Sequence, residues 1–169
     1  MNETTKVTAK SAGEGPGTTT GAPTLHPGTA RLLVGLQFVA IGLLLWPAPA
    51  AGNRGLAVTA GLLGTAWLAW TLTANPWGNF RVRPEPKVGA RLATAGPYRW
   101  VRHPMYTGVL ILMTGAVIWG PLAWKAPVWL ALAGILIAKA RLEERGLLRQ
   151  FPEYADFRRS RKFLVPGIW

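Results

Sequence analysis

The hydrophobic positions of this chain gather into four long blocks instead of a two-residue alternation. The first block runs from Ala30 to Trp46, interrupted only by Arg31 and Gln37, and ends at Pro47 and Pro49. The second goes from Gly55 to Ala74 without a charge and closes at Asn75-Pro76. The third starts near Met105 and reaches Trp124, and the fourth spans Ala126 to Ala138. A helix rises about 1.5 Å per residue, so roughly twenty apolar residues cross a hydrocarbon core of about 30 Å. The second and third blocks meet that length. The fourth crosses only if its helix continues through Lys139 to Glu144, and Pro121 and Pro127 leave its start open. The pattern predicts an all-α, polytopic membrane helix bundle with about four transmembrane helices and a cytoplasmic, amphipathic C-terminal segment. A rival reading of the first block is a signal peptide, because Ala48-Pro49-Ala50 has the small-residue character of a cleavage site. The long, mostly polar stretch ahead of that block is unlike the short basic region such a peptide carries.

Residues 1–28 are rich in Thr, Gly, Ala and Pro and hold no large apolar cluster. Such a segment buries too little surface to offset its ordering entropy, so a disordered tail is expected there. Residues 29–169 are expected to form a single membrane-embedded domain.

Composition agrees with a membrane protein. Half of the residues are hydrophobic and 15% charged, against about 25% charged in soluble domains. The net charge of +12 raises nucleic acid as a partner, but the cations sit beside the apolar blocks and too little soluble chain remains for a basic fold. No nucleic-acid partner is expected. With no cysteine and two histidines, His26 and His103, thiolate chemistry is excluded and no metal site is expected, since zinc catalysis usually takes about three protein ligands.

Charge also sets the expected orientation. Four crossings place every basic residue except Arg54 and Lys125 on one side. The positive-inside tendency makes that side cytoplasmic, with both termini there, most simply in the cell's inner or plasma membrane. Within the blocks, Gly35 and Gly42 are seven apart, as are Gly108 and Gly115. Each pair lines one helix face, where small residues let helix backbones approach closely in lipid.

Two polar clusters border the blocks. The first runs from Gly96-Pro97-Tyr98 through Arg102-His103-Pro104-Met105-Tyr106 to Gly108. Pro104 suits the first turn of a helix, which places His103 at a boundary and can aim nearby backbone N–H groups at a ligand. The same Tyr, Trp and Arg residues also suit a plain interfacial anchor. The second cluster is Lys139-Ala140-Arg141-Leu142-Glu143-Glu144-Arg145. On a helix, Lys139 can pair with Glu143 and Arg141 with Glu144. It reads either as a solvated helix end or as a site, because ionisable groups at a membrane boundary are costly unless paired or useful.

At these two clusters the chain resembles the isoprenylcysteine carboxyl methyltransferases and their phospholipid N-methyltransferase relatives. The shared elements are Gly96 to Gly108, then Glu143-Glu144, then Phe151, Tyr154 and Phe157, then Pro166-Gly167. The resemblance covers the chain from Gly96 onward. Arg-His-Pro-x-Tyr alone is weak; followed by a Glu-Glu pair behind two apolar runs it is fairly specific. It implies S-adenosyl-L-methionine as methyl donor, with Tyr98, Arg102, His103, Pro104, Tyr106, Gly108, Glu143 and Glu144 at the cofactor pocket. It also implies a lipophilic small-molecule acceptor entering from the bilayer, and membrane lipids as surroundings.

For catalysis the resemblance points to Lys139, Arg141 and His103. The family places an Arg five residues before the second glutamate, where this chain has Lys139 and, two further on, Arg141. Lysine lacks the bidentate fork, which bears on recognition of a carboxylate acceptor. A thiol or amine acceptor would need deprotonation, and His103 has the suitable unperturbed pKa. Beyond Glu144, a basic segment ending in Phe163, Leu164, Ile168 and Trp169 is expected to lie along the membrane surface. Two other functions compete: an NADPH-dependent membrane reductase of the sterol-reductase type, and a non-catalytic lipid-binding membrane protein.

Overall fold

A computed structural model of the chain describes residues 27–75, 93–151 and 153–168. The expected N-terminal tail lies outside the described residues apart from its last two, and so do Arg81, Arg83, Lys87, Arg91 and Trp169. The described residues form five α-helices: α1 (Pro27–Leu45), α2 (Arg54–Ala74), α3 (Pro104–Trp119), α4 (Leu122–Gln150) and α5 (Tyr154–Ser160). A 3-10 turn at Gly96–Arg99 precedes α3. The protein is a polytopic bundle of membrane helices. Three of them, α1, α2 and α4, are long and apolar enough to cross a bilayer, and α3 is a shorter apolar helix of 16 residues.

Local sequence explains most boundaries. Asn53 caps α2 by accepting a hydrogen bond from the Leu56 amide at 3.0 Å. The third apolar block is divided earlier than expected, because Pro121 holds Gly120 extended (φ −104°, ψ −172°) and α3 stops at Trp119. Trp124 therefore belongs to α4, which begins at Leu122 and carries Pro127 within it. The fourth block does continue through Lys139 to Glu144. Its 29 residues make a helix of roughly 43 Å at 1.5 Å per residue, well beyond the hydrocarbon core. One end of α4 must project from the bilayer.

Side-chain contacts fix the arrangement. Helix α2 lies antiparallel on α3: a Cβ on Gly64 would meet the Leu112 backbone, one on Gly108 would meet Leu68, and one on Gly115 would meet the Ala57 carbonyl. Helix α1 lies antiparallel on α4, where Lys125 Nζ donates to the Leu44 carbonyl at 2.8 Å and Lys139 donates to Gln37. Between these pairs, Ala40 and Leu44 of α1, Met113 of α3, and Leu132 and Leu136 of α4 form the buried core. Large apolar side chains such as Leu32, Phe38, Leu62, Leu63 and Leu130 face outward, as lipid-facing positions do. The glycine pattern resolves unevenly. Gly108 and Gly115 seat α3 on α2, whereas Gly35 and Gly42 meet nothing within 4 Å.

Candidate active site

The two polar clusters meet at one end of the bundle. His103 is the residue before α3, with φ −123° and ψ 60°, and Pro104 opens the helix as expected. The amides of Tyr106 and Thr107 both donate to the His103 carbonyl, at 3.1 and 3.2 Å, so this helix start does not aim those two N–H groups at a ligand. Trp67 of α2 ties its indole N–H to the Pro104 carbonyl at 2.9 Å, and it packs with Trp70 and Trp100 around the 3-10 turn. Gly96 has φ +55° there, and a Cβ would lie 2.5 Å from Ala74. Both the backbone conformation and the close approach call for glycine.

The C-terminal segment closes the site from the other side. Val101 and Lys162 form a parallel β-bridge, with Arg102 N donating to the Lys162 carbonyl at 2.9 Å and Lys162 N donating to the Trp100 carbonyl at 3.1 Å. Thr107 donates to the Leu164 carbonyl at 2.6 Å, and Phe163 packs edge-on against the His103 ring. Residues 162–164 and the start of α3, just under sixty positions apart along the chain, thus share one local structure.

Within this frame the twin glutamates of α4 take long-range partners. Glu144, 5% exposed, accepts from Arg102 Nε at 2.6 Å and lies 3.2 Å from His103 Nε2 and 3.5 Å from Arg158 Nε. Glu143 accepts from the Tyr106 hydroxyl and lies 3.5 Å from His103 Nδ1. Both ring nitrogens of His103 therefore face carboxylates. Burial alone would favour the neutral ring, but the contacts with Glu143 and Glu144 outweigh it and raise the His103 pKa above its ordinary value. Arg102 also donates to the carbonyls of Arg158 and Arg161, at 2.8 and 2.7 Å, which pins α5 to the site.

The expected local ion pairs did not form. Lys139 donates to Gln37 of α1 and lies over the Tyr106 ring at 5.4 Å, and Arg141 is exposed without a carboxylate partner among the described residues. Gln37 had stood out in the sequence only as a polar interruption of an apolar block; its position opposite Lys139 gives it a role. Tyr98 lies close enough to Glu143 to feel its charge, and burial with that charge pushes its phenol up to about 12. Gly108 is packed under Leu68 and Trp67, one turn further into the bundle.

Tyr154 was matched only through the resemblance. It is buried (1% exposed), its hydroxyl makes no hydrogen bond of good geometry among the described residues, and burial, followed by the charge of Glu144 within reach of that hydroxyl, raises its pKa. The two carboxylates, with this hydroxyl and the rings of Tyr98 and Tyr106, suit a ligand that combines positive charge with hydroxyl groups and a flat ring. Tyr98, Arg102, His103, Pro104, Tyr106, Glu143 and Glu144 come together here, and Arg141, exposed, pairs with neither glutamate.

Comparisons with known proteins cover the same region. The phospholipid methyltransferase family matches residues 55–153, more than half the chain, taking in α2 from its second residue, the 3-10 turn, α3 and α4, and leaving out α1, α5 and the strap of residues 161–168 after it. A cobalt-zinc-cadmium resistance protein, CzcN, from Cupriavidus metallidurans is 36% identical over 78 residues, which is 46% of this chain and 36% of that protein. The chain thus spans about a third of the length of that relative.

Proposed function

Since the chain belongs to the phospholipid methyltransferase family, a family of membrane methyltransferases, we propose that it moves the methyl group of S-adenosyl-L-methionine to a lipophilic acceptor entering from the bilayer. The observation that carries this reading is the convergence of His103 with Glu143 and Glu144, forty-odd positions away in sequence, at one end of the bundle. The donor supplies an activated methyl on a sulfonium, so the protein's task is placement and not chemical activation.

Glu143, Glu144 and Tyr154 are the groups to hold the donor: carboxylates match its ammonium or its ribose hydroxyls, and the buried Tyr154 hydroxyl beside Glu144 can donate or accept one more hydrogen bond. Tyr98 and Tyr106 supply ring faces for adenine or the sulfonium. His103 acts as a positioning residue: as a cation it fixes both carboxylates, which removes it from service as a free general base. Lys139, buried under Tyr106 and held by Gln37, is the cation best placed to orient an anionic acceptor at bilayer depth. The basic clusters at this end of the bundle support a cytoplasmic position for it.

Calorimetry on detergent-purified protein should register S-adenosylmethionine or S-adenosylhomocysteine, and His103→Ala and Glu144→Ala should lose that binding while the protein still inserts. Wild-type affinity in both variants would place the pocket elsewhere. Selective binding of NADPH in the same assay would favour a reductase, and donor binding without transfer of isotopic methyl to any component of a native lipid extract would favour a lipid-binding protein.

A further inference from the structure

A second compartment adjoins Glu144. It is an open cleft of about 580 Å³ that shares Arg102, Glu144, Arg158 and Phe163 with the candidate site, whereas Tyr106, His103 and Glu143 do not line it. Seven of its eleven lining residues are Arg or Lys and Glu144 is the one carboxylate. Arg141 and Arg145 come from the projecting end of α4, and Arg158, Arg161 and Lys162 from α5 and the strap after it.

Most of this charge is not neutralised by protein. Glu144 takes Arg102 at 2.6 Å and Arg158 at 3.5 Å, while Arg141, Arg145 and Lys162 have no carboxylate within ion-pair distance among the described residues. The Nε of Arg161 is buried with no hydrogen-bond partner among the described residues. Unneutralised cations crowded around one space set up a positive potential that draws an anion into it, and the Arg161 donor offers that anion a hydrogen bond. The cavity wall is also partly apolar: Leu148 and Ile168 are 39% and 79% exposed beside these cations. A ligand that puts anionic oxygens on the arginines and hydrocarbon on Leu148 and Ile168 is an amphiphile, and α4 emerges from the bilayer at this level.

The geometry points to a binding site for the phosphate of an anionic membrane lipid that has no methylatable amine, such as phosphatidylglycerol. The lipid is a bound companion of the enzyme and not its acceptor. Through Arg102 and Arg158, which grip Glu144 and line the cavity together, an occupied site holds Glu144 in place for the donor. The coupling rests on the methyltransferase reading; the binding itself does not.

The test uses the full chain in phosphatidylcholine bilayers with graded phosphatidylglycerol, reading retained lipid by native mass spectrometry after detergent extraction. The wild type should retain phosphatidylglycerol in preference to phosphatidylcholine. Each basic residue near an anionic surface is worth about fivefold in binding, so Arg145→Gln with Lys162→Gln should reduce that preference by about twenty- to thirtyfold. Both side chains are exposed, and a helical circular dichroism spectrum with unchanged melting confirms that the variant folds. Arg145→Lys with Lys162→Arg should restore retention. Arg31→Gln with Arg99→Gln removes the same charge from exposed positions outside the cavity and should leave the preference within twofold. Equal losses in the two double variants would reduce the effect to diffuse attraction and overturn the site. Displacement of the lipid by S-adenosylhomocysteine would make the cavity part of the donor pocket. Displacement by inorganic pyrophosphate, without preference among lipids, would assign it to a soluble phosphate compound. Lipid retention is read without methyl transfer, so its failure and failure of the enzymatic reading are separate results.

Discussion

Replacing Glu144 by glutamine keeps the shape of the side chain and removes its charge, which isolates what the carboxylate does. Its oxygens face Arg102 at 2.6 Å, His103 at 3.2 Å and Arg158 at 3.5 Å, and the Arg102 and His103 side chains are only 13% and 5% exposed. Breaking a buried pair by removing one partner costs about 3–5 kcal/mol, because the other charge stays buried without compensation. Two circumstances lower that here. The glutamine amide oxygen still accepts one hydrogen bond, and Glu143 remains 3.5 Å from His103. We therefore expect a loss of about 2–3 kcal/mol, which for a chain of this size lowers Tm by roughly 5–10 °C. Glu144→Gln should also loosen α5, since Arg102 joins Glu144 to the Arg158 and Arg161 carbonyls. Melting followed by circular dichroism in detergent measures the first effect, and hydrogen exchange over residues 154–168 the second. A variant that melts with the wild type and protects its C-terminal segment equally would show that the cluster is loosely solvated, and the electrostatic account of the site would fail.

Three further outcomes follow from particular contacts. The folded pKa of His103 is raised, so its stabilising contribution is fully present below the unfolded value of about 6.5 and is lost as pH rises through the higher folded value; melting across that window should show stability falling toward alkaline pH in the wild type and a flatter profile in His103→Gln. Gly64→Ala should cost about 1–3 kcal/mol by overpacking, because its Cβ would lie 2.4 Å from the Leu112 nitrogen, while Gly35→Ala, with open space around it, should melt as the wild type. Tyr106→Phe removes the hydroxyl that donates to Glu143 and should cost about 1.5–3 kcal/mol, the worth of a hydrogen bond to a charged group, with donor binding weakened in calorimetry.

The membrane architecture was legible because it is a property of contiguous sequence. A block such as Gly55 to Ala74 has nowhere to bury its side chains except lipid, and a helix is the only single-segment structure that satisfies its backbone there. The same holds for Pro104 as a helix start and for the continuation of α4 past Lys139. The third block misled at its end, since Trp119 to Trp124 is uniformly apolar apart from Pro121 and composition does not register where the chain turns.

Partner choice was a different matter. Spacing along a helix paired Lys139 with Glu143 and Arg141 with Glu144, yet an exposed pair of that kind is worth only tenths of a kcal/mol. Once α3 and the C-terminal strap dock beside α4, Tyr106, His103 and Arg102 offer the glutamates buried, directional donors, and these prevail over the local cations. Lys139, inside the bundle, turns to Gln37 across α1. The glycines make the same point. A spacing of seven placed two residues on one face in both α1 and α3, but only the bundle decided that the face of α3 meets α2 while that of α1 is left open. Hydrophobicity and backbone stereochemistry act over a few residues and can be read along the chain, whereas the pairing of charges depends on which surfaces packing brings together and shields from water.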